Sequence, residues 1–302
     1  MSLNILVIGM GAIGSLYASK CSKEHHVYCV ARSDATHIQQ HGIKIKHPDN
    51  VVTTFHPKIC YSQLSKATNK FDYIIIATKE FNNQVVFSEL GGVVHNKTVL
   101  VLIQNGLYIE SNLQKQFPNH LILSCLAFVC VTKCGPGYIH HQDYGRLVVG
   151  KYPKGMAEPV RVFADLFKQS NVNCAITDHI VQDRYKKLLW NASFNSLSVI
   201  YGGKNTVELL ADCQIETRIR NIMQNVKAVA IADNCNITET DIEKNINDTK
   251  LMKPYKTSMC IDWENNRNLE IEAILGNVIK RAYELNVDCP YLVNAYNELN
   301  CV

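Results

Sequence analysis

The hydrophobic rhythm of the chain changes part-way along. Short apolar, β-branched runs at residues 4–8, 27–31, 73–78, 99–104 and 121–125 are separated by stretches of helical spacing. Runs of that length bounded by turn residues read as strands, and their alternation with helical patterns predicts a parallel sheet with crossover helices. Two later runs, 146–149 and 173–176, are expected to extend the sheet. From Asp178 onward the apolar positions recur at helical intervals. Asp178 is read as the N-cap of a helix over 180–200 that stops at Tyr201-Gly202-Gly203, with further helices over 214–233, 269–285 and 290–300. The pattern predicts an α/β chain, with a sheet domain over 1–178 followed by an all-helical domain over 179–302.

Glycine usage supports the same division. Twelve of the fifteen glycines lie within the first 155 residues, as expected where strands are joined by tight turns and where long helices are few. The longest apolar runs (5–8, 74–77 and 99–103) are strand-sized, well below the ~20 residues of a membrane helix. No charged segment precedes a long apolar stretch at the N-terminus, so neither a signal peptide nor a membrane anchor is expected, and the reading is cytoplasmic. The net charge of +4 is spread without a long run, which permits an anionic small ligand and gives no argument for nucleic acid; neither a nucleic-acid nor a membrane partner is expected.

Twelve cysteines call for an explanation. A chain of this length needs no disulfide staples, and no CxxC pair occurs. Cys125, Cys130 and Cys134, followed by His140 and His141, lack metal-knuckle spacing, so small apolar thiols in a reducing compartment are expected and no metal is assigned.

The first strand runs into Gly9-Met10-Gly11-Ala12-Ile13-Gly14, a GxGxxG segment followed by a helix-compatible stretch. Gly9 suits the tight turn, Gly11 lets a pyrophosphate approach the backbone, and Gly14 lets the helix pack closely on the strand. In this strand context the motif predicts a Rossmann-type domain that binds a dinucleotide. At the end of the second strand, where an acidic residue would hold a ribose diol, the chain carries Arg32. An arginine fork suits a 2′-phosphate, so NADP (as NADPH) is expected over NAD, although Asp34 two residues on leaves a route to NAD.

In the second half, Lys187, Asn191 and Asn195 recur at i, i+4 and i+8 and so share one helical face. Asparagine is a mediocre helix former, so two of them aligned with a lysine invite a functional account. On pattern alone, a solvent-facing polar stripe is the favoured account of them.

Several motifs occur together and in order: the GxGxxG opening, Thr78-Lys79, Gln104-Asn105-Gly106, Lys187-x3-Asn191-x3-Asn195, Thr257-Ser258-Met259-x-x-Asp262 and Asn266-Arg267-x-x-Glu270-Ile271. The set resembles the ketopantoate reductase (2-dehydropantoate 2-reductase) family over nearly the whole chain. The resemblance implies an NADPH-dependent reductase with its active site in the cleft between a Rossmann domain and a helical domain. It further implies that Lys187 is the catalytic lysine that protonates the substrate oxygen as hydride arrives, and that Glu270 binds the substrate hydroxyl and helps position the lysine. Asn191, Asn195 and Ser258 match substrate-binding positions. Asn105 and Lys79 match positions on the cofactor side, Asn105 close to the reacting centre.

Ser258 and Glu270 are twelve residues apart, which on an unbroken helix places them about 120° and some 18 Å from one another. They can serve one ligand only if the helix breaks between them, and Asn265-Asn266 is the expected break. Ile261 and Leu269 depart from the family pattern, which bears on the substrate. The expected substrate is 2-dehydropantoate, reduced to pantoate for pantothenate and coenzyme A synthesis. The rivals are another small 2-oxo acid reduced by a related two-domain enzyme, and a non-catalytic dinucleotide-sensing regulator. The sequence is silent on oligomeric state and is compatible with a homodimer.

Overall fold

Ten strands join in one mixed sheet in the computed structural model, which describes residues 2–21 and 23–302. Backbone contacts divide the chain into two units. The first comprises residues up to 104 with Ile109–Ile180, and the second Asn105–Tyr108 with Val181–Val302.

The first unit contains β1 (Asn4–Ile8), α1 (Ala12–Lys20), β2 (His26–Val30), α2 (Ala35–His41), β3 (Ile43–Lys46), β4 (Val52–Phe55) and β5 (Cys60–Tyr61). It continues with β6 (Tyr73–Ile76), α3 (Asn83–Glu89), β7 (Val99–Ile103), α4 (Ser111–Gln116), β8 (Ile122–Gly135), β9 (Tyr138–Lys151), α5 (Glu158–Asp165) and β10 (Cys174–Thr177). The strand order is β4-β3-β9-β8-β7-β6-β1-β2-β5, with β10 also on β9. At its centre β1 pairs in parallel with β2 and β6, Ile5 lying opposite both Val27 and Tyr73. β6 and β7 are buried at every position, which is why they read as continuous apolar runs rather than alternating ones.

The sheet departs from the all-parallel expectation. β8 and β9 are antiparallel strands of 14 residues each, and β3 pairs antiparallel with β4. Pro136-Gly137 closes the β8–β9 hairpin, Gly137 taking a φ of +60° that favours glycine. The predicted runs at 121–125 and 146–149 lie within this hairpin. Its remainder lacks a clean period because three register shifts interrupt the pairing.

The second unit contains only helices and turns among its described residues. They are α6 (Ile180–Trp190), α7 (Ser196–Ile200), α8 (Thr206–Leu210), α9 (Cys213–Ala232), α10 (Glu239–Lys250), α11 (Ser258–Glu264), α12 (Asn277–Glu284) and α13 (Pro290–Leu299). Helix α6 begins at Ile180, which leaves Asp178 one residue short of the N-cap position expected for it. The path from α6 to α7 is interrupted by a π turn at Asn191–Asn195, and a second π turn at Glu272–Gly276 precedes α12. The two π turns touch one another. Leu188, Phe194, Leu197, Ile219, Ile222 and Leu275 build the core of this unit.

The division falls two residues beyond the expected boundary at 178 and also transfers Asn105–Tyr108 to the helical unit. Leu107 is wholly buried in the helical core, a long-range packing event with no local signature. No helix among the described residues is long and apolar enough to cross a membrane. None of the twelve cysteines is joined in a disulfide.

Candidate active site

In the first unit, β1 ends at Ile8 and the chain turns at Gly9, whose φ is +97°. A Cβ on Gly9 would lie 2.8 Å from both the Thr78 backbone nitrogen and its Cγ2, and one on Gly14 would lie 2.0 Å from the Gly9 carbonyl oxygen. These two glycines therefore permit the turn and the close packing of α1. Gly11 differs. A Cβ there would meet nothing within 4 Å, so the face it leaves bare opens onto space where a ligand can approach the backbone. Gly11 is the N-cap of α1, and the residues that follow, Ala12 and Ile13, begin the helix, so the first unpaired N–H groups gather at this loop. Met10 is buried beneath it.

Arg32 lies just past β2 and is exposed, whereas Asp34 is 6% exposed and its carboxylate is engaged. Lys133 Nζ stands 2.5 Å from Asp34 Oδ2, Ser33 Oγ donates to Oδ1 at 2.7 Å, and the Gly137 N–H donates to Oδ2 at 3.3 Å. These contacts engage both Asp34 oxygens within the protein. Lys79 follows β6 and is half-buried at the cap of a short 3₁₀ turn. Beside it, the buried Gln104 side chain donates to the Thr78 carbonyl at 2.7 Å and exchanges amide hydrogen bonds with Asn83 at 2.7 and 3.0 Å, tying the ends of β6 and β7 together.

In the second unit, Lys187, Asn191, Asn105 and Glu270 form one hydrogen-bonded chain. Lys187 Nζ donates to Asn105 Oδ1 at 3.0 Å, and Asn191 Nδ2 reaches the same oxygen at 3.5 Å. On its other side, Asn105 Nδ2 donates to Glu270 Oε2 at 3.4 Å. An ammonium can only donate and a carboxylate can only accept, so the amide has one orientation that satisfies both. Glu270 is 7% exposed and Lys187 is half-buried.

Asn191 and Asn195 are 6% and 1% exposed, so the solvent-facing stripe is excluded as their explanation. Both lie in the π turn, where carbonyls in and before it accept from serines of the turn and of α7. Ser193 Oγ donates to the Leu189 carbonyl at 2.7 Å and Ser198 Oγ to that of Asn195 at 2.8 Å. Asn195 Oδ1 is buried and accepts no hydrogen bond, a polar atom left for something else.

Ser258 opens α11. The preceding Thr257 caps this helix by accepting from the Cys260 N–H at 3.1 Å, and its hydroxyl shares a 2.7 Å hydrogen bond with Ser198 at the end of the asparagine-bearing segment. α11 ends at Glu264, Asn266 adopts a φ of +51°, and the Arg267 N–H returns to the Asp262 carbonyl at 2.9 Å. This is the break between Ser258 and Glu270 that joint action on one ligand requires. Ser258 and Asn195 make no hydrogen bond to the Lys187 cluster among the described residues.

The segment bearing Asn105 is anchored by residues that sequence reasoning did not single out. Arg184 Nη1 donates to the Gly106 carbonyl at 2.9 Å, the Leu107 N–H to the Ala273 carbonyl at 3.1 Å, and Asn277 Nδ2 to the Leu107 carbonyl at 2.8 Å. Gly106 has a φ of +106°, and a Cβ there would lie 2.5 Å from the Ala273 carbonyl oxygen. Tyr108 donates to the Asp233 carboxylate, which also accepts from Tyr185 at 2.7 Å and from Arg281 at 2.6 and 3.0 Å. The one local signal was Arg184, three residues before Lys187 on the same helix.

Residues 5–154 match the profile of ketopantoate reductase PanE/ApbA, and residues 179–301 match its C-terminal counterpart. The chain belongs to the ketopantoate reductase family. A 2-dehydropantoate 2-reductase from Nostoc sp. (strain PCC 7120 / SAG 25.82 / UTEX 2576) is 32% identical over 300 residues, covering 97% of this chain and 93% of the relative. Among solved structures, the 2-dehydropantoate 2-reductase from Methylococcus capsulatus is 38% identical with a TM-score of 0.92, covering 99% of this chain and 96% of that one. That from Geobacter metallireducens GS-15 is 27% identical, also with a TM-score of 0.92 and 99% coverage of each.

Membership of the ketopantoate reductase family makes the chain an oxidoreductase that uses a nicotinamide dinucleotide. The residues present fit that group. The bare face of Gly11 lies at the N-terminus of α1, where a pyrophosphate meets N–H donors, and no side chain fills the space.

Proposed function

We propose that the chain reduces 2-dehydropantoate to pantoate with NADPH, with Lys187 as the proton donor. The observation that supports this reading most is the chain Lys187–Asn105–Glu270, in which a cation and a carboxylate are held on opposite ends of one amide. When bound, the dinucleotide supplies the hydride. The protein's part is to manage the charge that develops on the ketone oxygen. Lys187 donates a hydrogen bond and then a proton to that oxygen, and Asn105 keeps its ammonium in place meanwhile. Glu270 accepts from the substrate hydroxyl and, through Asn105, orients the lysine. Asn191, Asn195 and Ser258 supply further hydrogen bonds to the substrate, the unpartnered Asn195 Oδ1 being suited to that use.

On the cofactor side, Gly9 to Gly14 would hold the pyrophosphate, and Arg32 would pair with the 2′-phosphate of NADPH. The arrangement serves reduction better than sensing, because a regulator that only reports dinucleotide occupancy needs no positioned proton donor. The test is a comparison of kcat/KM for 2-dehydropantoate with a panel of other small 2-oxo acids, each with NADPH and with NADH. The proposal expects 2-dehydropantoate with NADPH to rank first by at least about tenfold. A different oxo acid in first place would reassign the substrate, and equal use of NADH would remove Arg32 from cofactor selection.

A further inference from the structure

Asp34 places a negative charge two residues from Arg32, beside the region in which a 2′-phosphate would be received. Left alone, that carboxylate would repel a phosphate and invite a ribose diol. It is not left alone. Lys133, near the end of β8, stands 2.5 Å from Asp34 Oδ2 and also 3.4 Å from the Met10 carbonyl of the glycine loop. The lysine side chain is 28% exposed and the aspartate side chain 7%, so the pair is sheltered on the aspartate side. Ser33 Oγ occupies one position on Oδ1 and the Gly137 N–H a second on Oδ2, so both oxygens are engaged. Burial by itself would raise the Asp34 pKa, but these donors outweigh it and hold the carboxyl below its usual range. The aspartate is therefore charged, neutralised and turned inward.

We propose that Lys133 is a specificity-determining residue for the dinucleotide: by sequestering the Asp34 carboxylate it removes both the repulsion of a 2′-phosphate and the acceptor that a 2′-hydroxyl would seek. Resting on the NADPH reading above, the inference extends it from the residue that attracts the phosphate to the one that silences its competitor. Lys133 lies more than 115 residues from the glycine motif in sequence, and the β8–β9 hairpin brings it there. Coulomb attraction at this separation is strong in a partly buried setting, so release of the aspartate has a measurable effect on a nearby dianion.

The experiment titrates NADPH and NADH separately into the parent protein, Lys133→Met, Lys133→Arg and the double variant Lys133→Met/Asp34→Asn, reading nicotinamide fluorescence to obtain each Kd without turnover. The inference expects Lys133→Met to weaken NADPH about tenfold or more while NADH changes less than about threefold, a differential loss of one charge interaction. Lys133→Arg should keep the parent ratio of the two affinities. The double variant removes both charges, leaves no lone buried carboxylate to unfold the loop, and should also keep the ratio within about threefold.

Equal weakening of both dinucleotides by Lys133→Met would overturn the inference, since the lysine would then merely support the loop. A collapsed ratio in the double variant would overturn it as well, because the lysine would then act on the phosphate directly. A parent protein that binds NADH as tightly as NADPH contradicts the NADPH reading itself, an outcome separable from either of these.

Discussion

Lys187 Nζ and Asn105 Oδ1 lie 3.0 Å apart although the two residues are separated by more than eighty positions in the chain. Asn105 is thus the pivot of the candidate site, because its other amide atom faces Glu270. Asn105→Ala should lower kcat by about ten- to a hundredfold with a smaller change in KM, as expected when a group that orients the acid is lost. Asn105→Asp is more informative. It keeps the acceptor for Lys187 but sets a second carboxylate against Glu270, and two carboxylates at that separation resist joint ionisation. Its activity relative to the parent should therefore recover as pH is lowered and one of the two takes a proton. A pH–rate profile for Asn105→Asp parallel to that of the parent would remove Asn105 from the arrangement.

Gly11 and Gly14 should separate by experiment because their constraints differ. Gly11 has a φ of −76° and open space where a Cβ would stand, so Gly11→Ala should fold with a Tm within about 2 °C of the parent. It should nonetheless weaken dinucleotide binding by tenfold or more on the ordinary scale of a lost close approach, about 1.4 kcal/mol. Gly14→Ala meets the Gly9 carbonyl oxygen at 2.0 Å, so it should lower Tm markedly before any question of binding arises. Calorimetry and a binding titration on both variants check the contrast. Equal loss of stability in the two would contradict it.

Asp233 gives a pH dependence with a definite sign. Its side chain is 5% exposed; burial would raise its pKa, but Arg281 and the hydroxyls of Tyr108 and Tyr185 outweigh that and hold it below the usual carboxylate range. A group whose folded pKa lies below its unfolded value stabilises the fold fully above the unfolded value, about pH 3.9 for aspartate, and loses that stabilisation as pH falls through the folded one. Asp233→Asn should be less stable than the parent at neutral pH and should lose less additional stability on acidification. Asp233→Ala should destabilise more than Asp233→Asn, because it also removes the acceptor for the Tyr108 and Tyr185 hydroxyls. Urea unfolding at neutral and acidic pH checks both. Parallel losses for Asp233→Asn and the parent would contradict the assignment.

What could be read in the chain is what depends on near neighbours. The strand before Gly9, the turn there and the packing at Gly14 are local, and so are the placement of Lys187 and Asn191 one helical turn apart and the helix break at Asn265-Asn266. The π turn that carries Asn191 and Asn195 was not legible, because its serine-to-carbonyl bonds mimic an ordinary helix in sequence. The antiparallel β8–β9 hairpin escaped notice because its register shifts erase a period of two. Membership of Asn105 in the helical unit, and the hold of Lys133 on Asp34, are created by packing between distant segments. No periodicity records them, though both bear on the chemistry proposed.

Lys187 remains the residue on which the account turns. The most direct test is Lys187→Ala measured twice, once for turnover of 2-dehydropantoate with NADPH and once for the Kd of NADPH. The account predicts a fall in kcat of about a hundredfold to ten-thousandfold, the usual range for a lost general acid, with the dinucleotide Kd changed less than about threefold. A variant that turns over within tenfold of the parent while binding NADPH normally would contradict it.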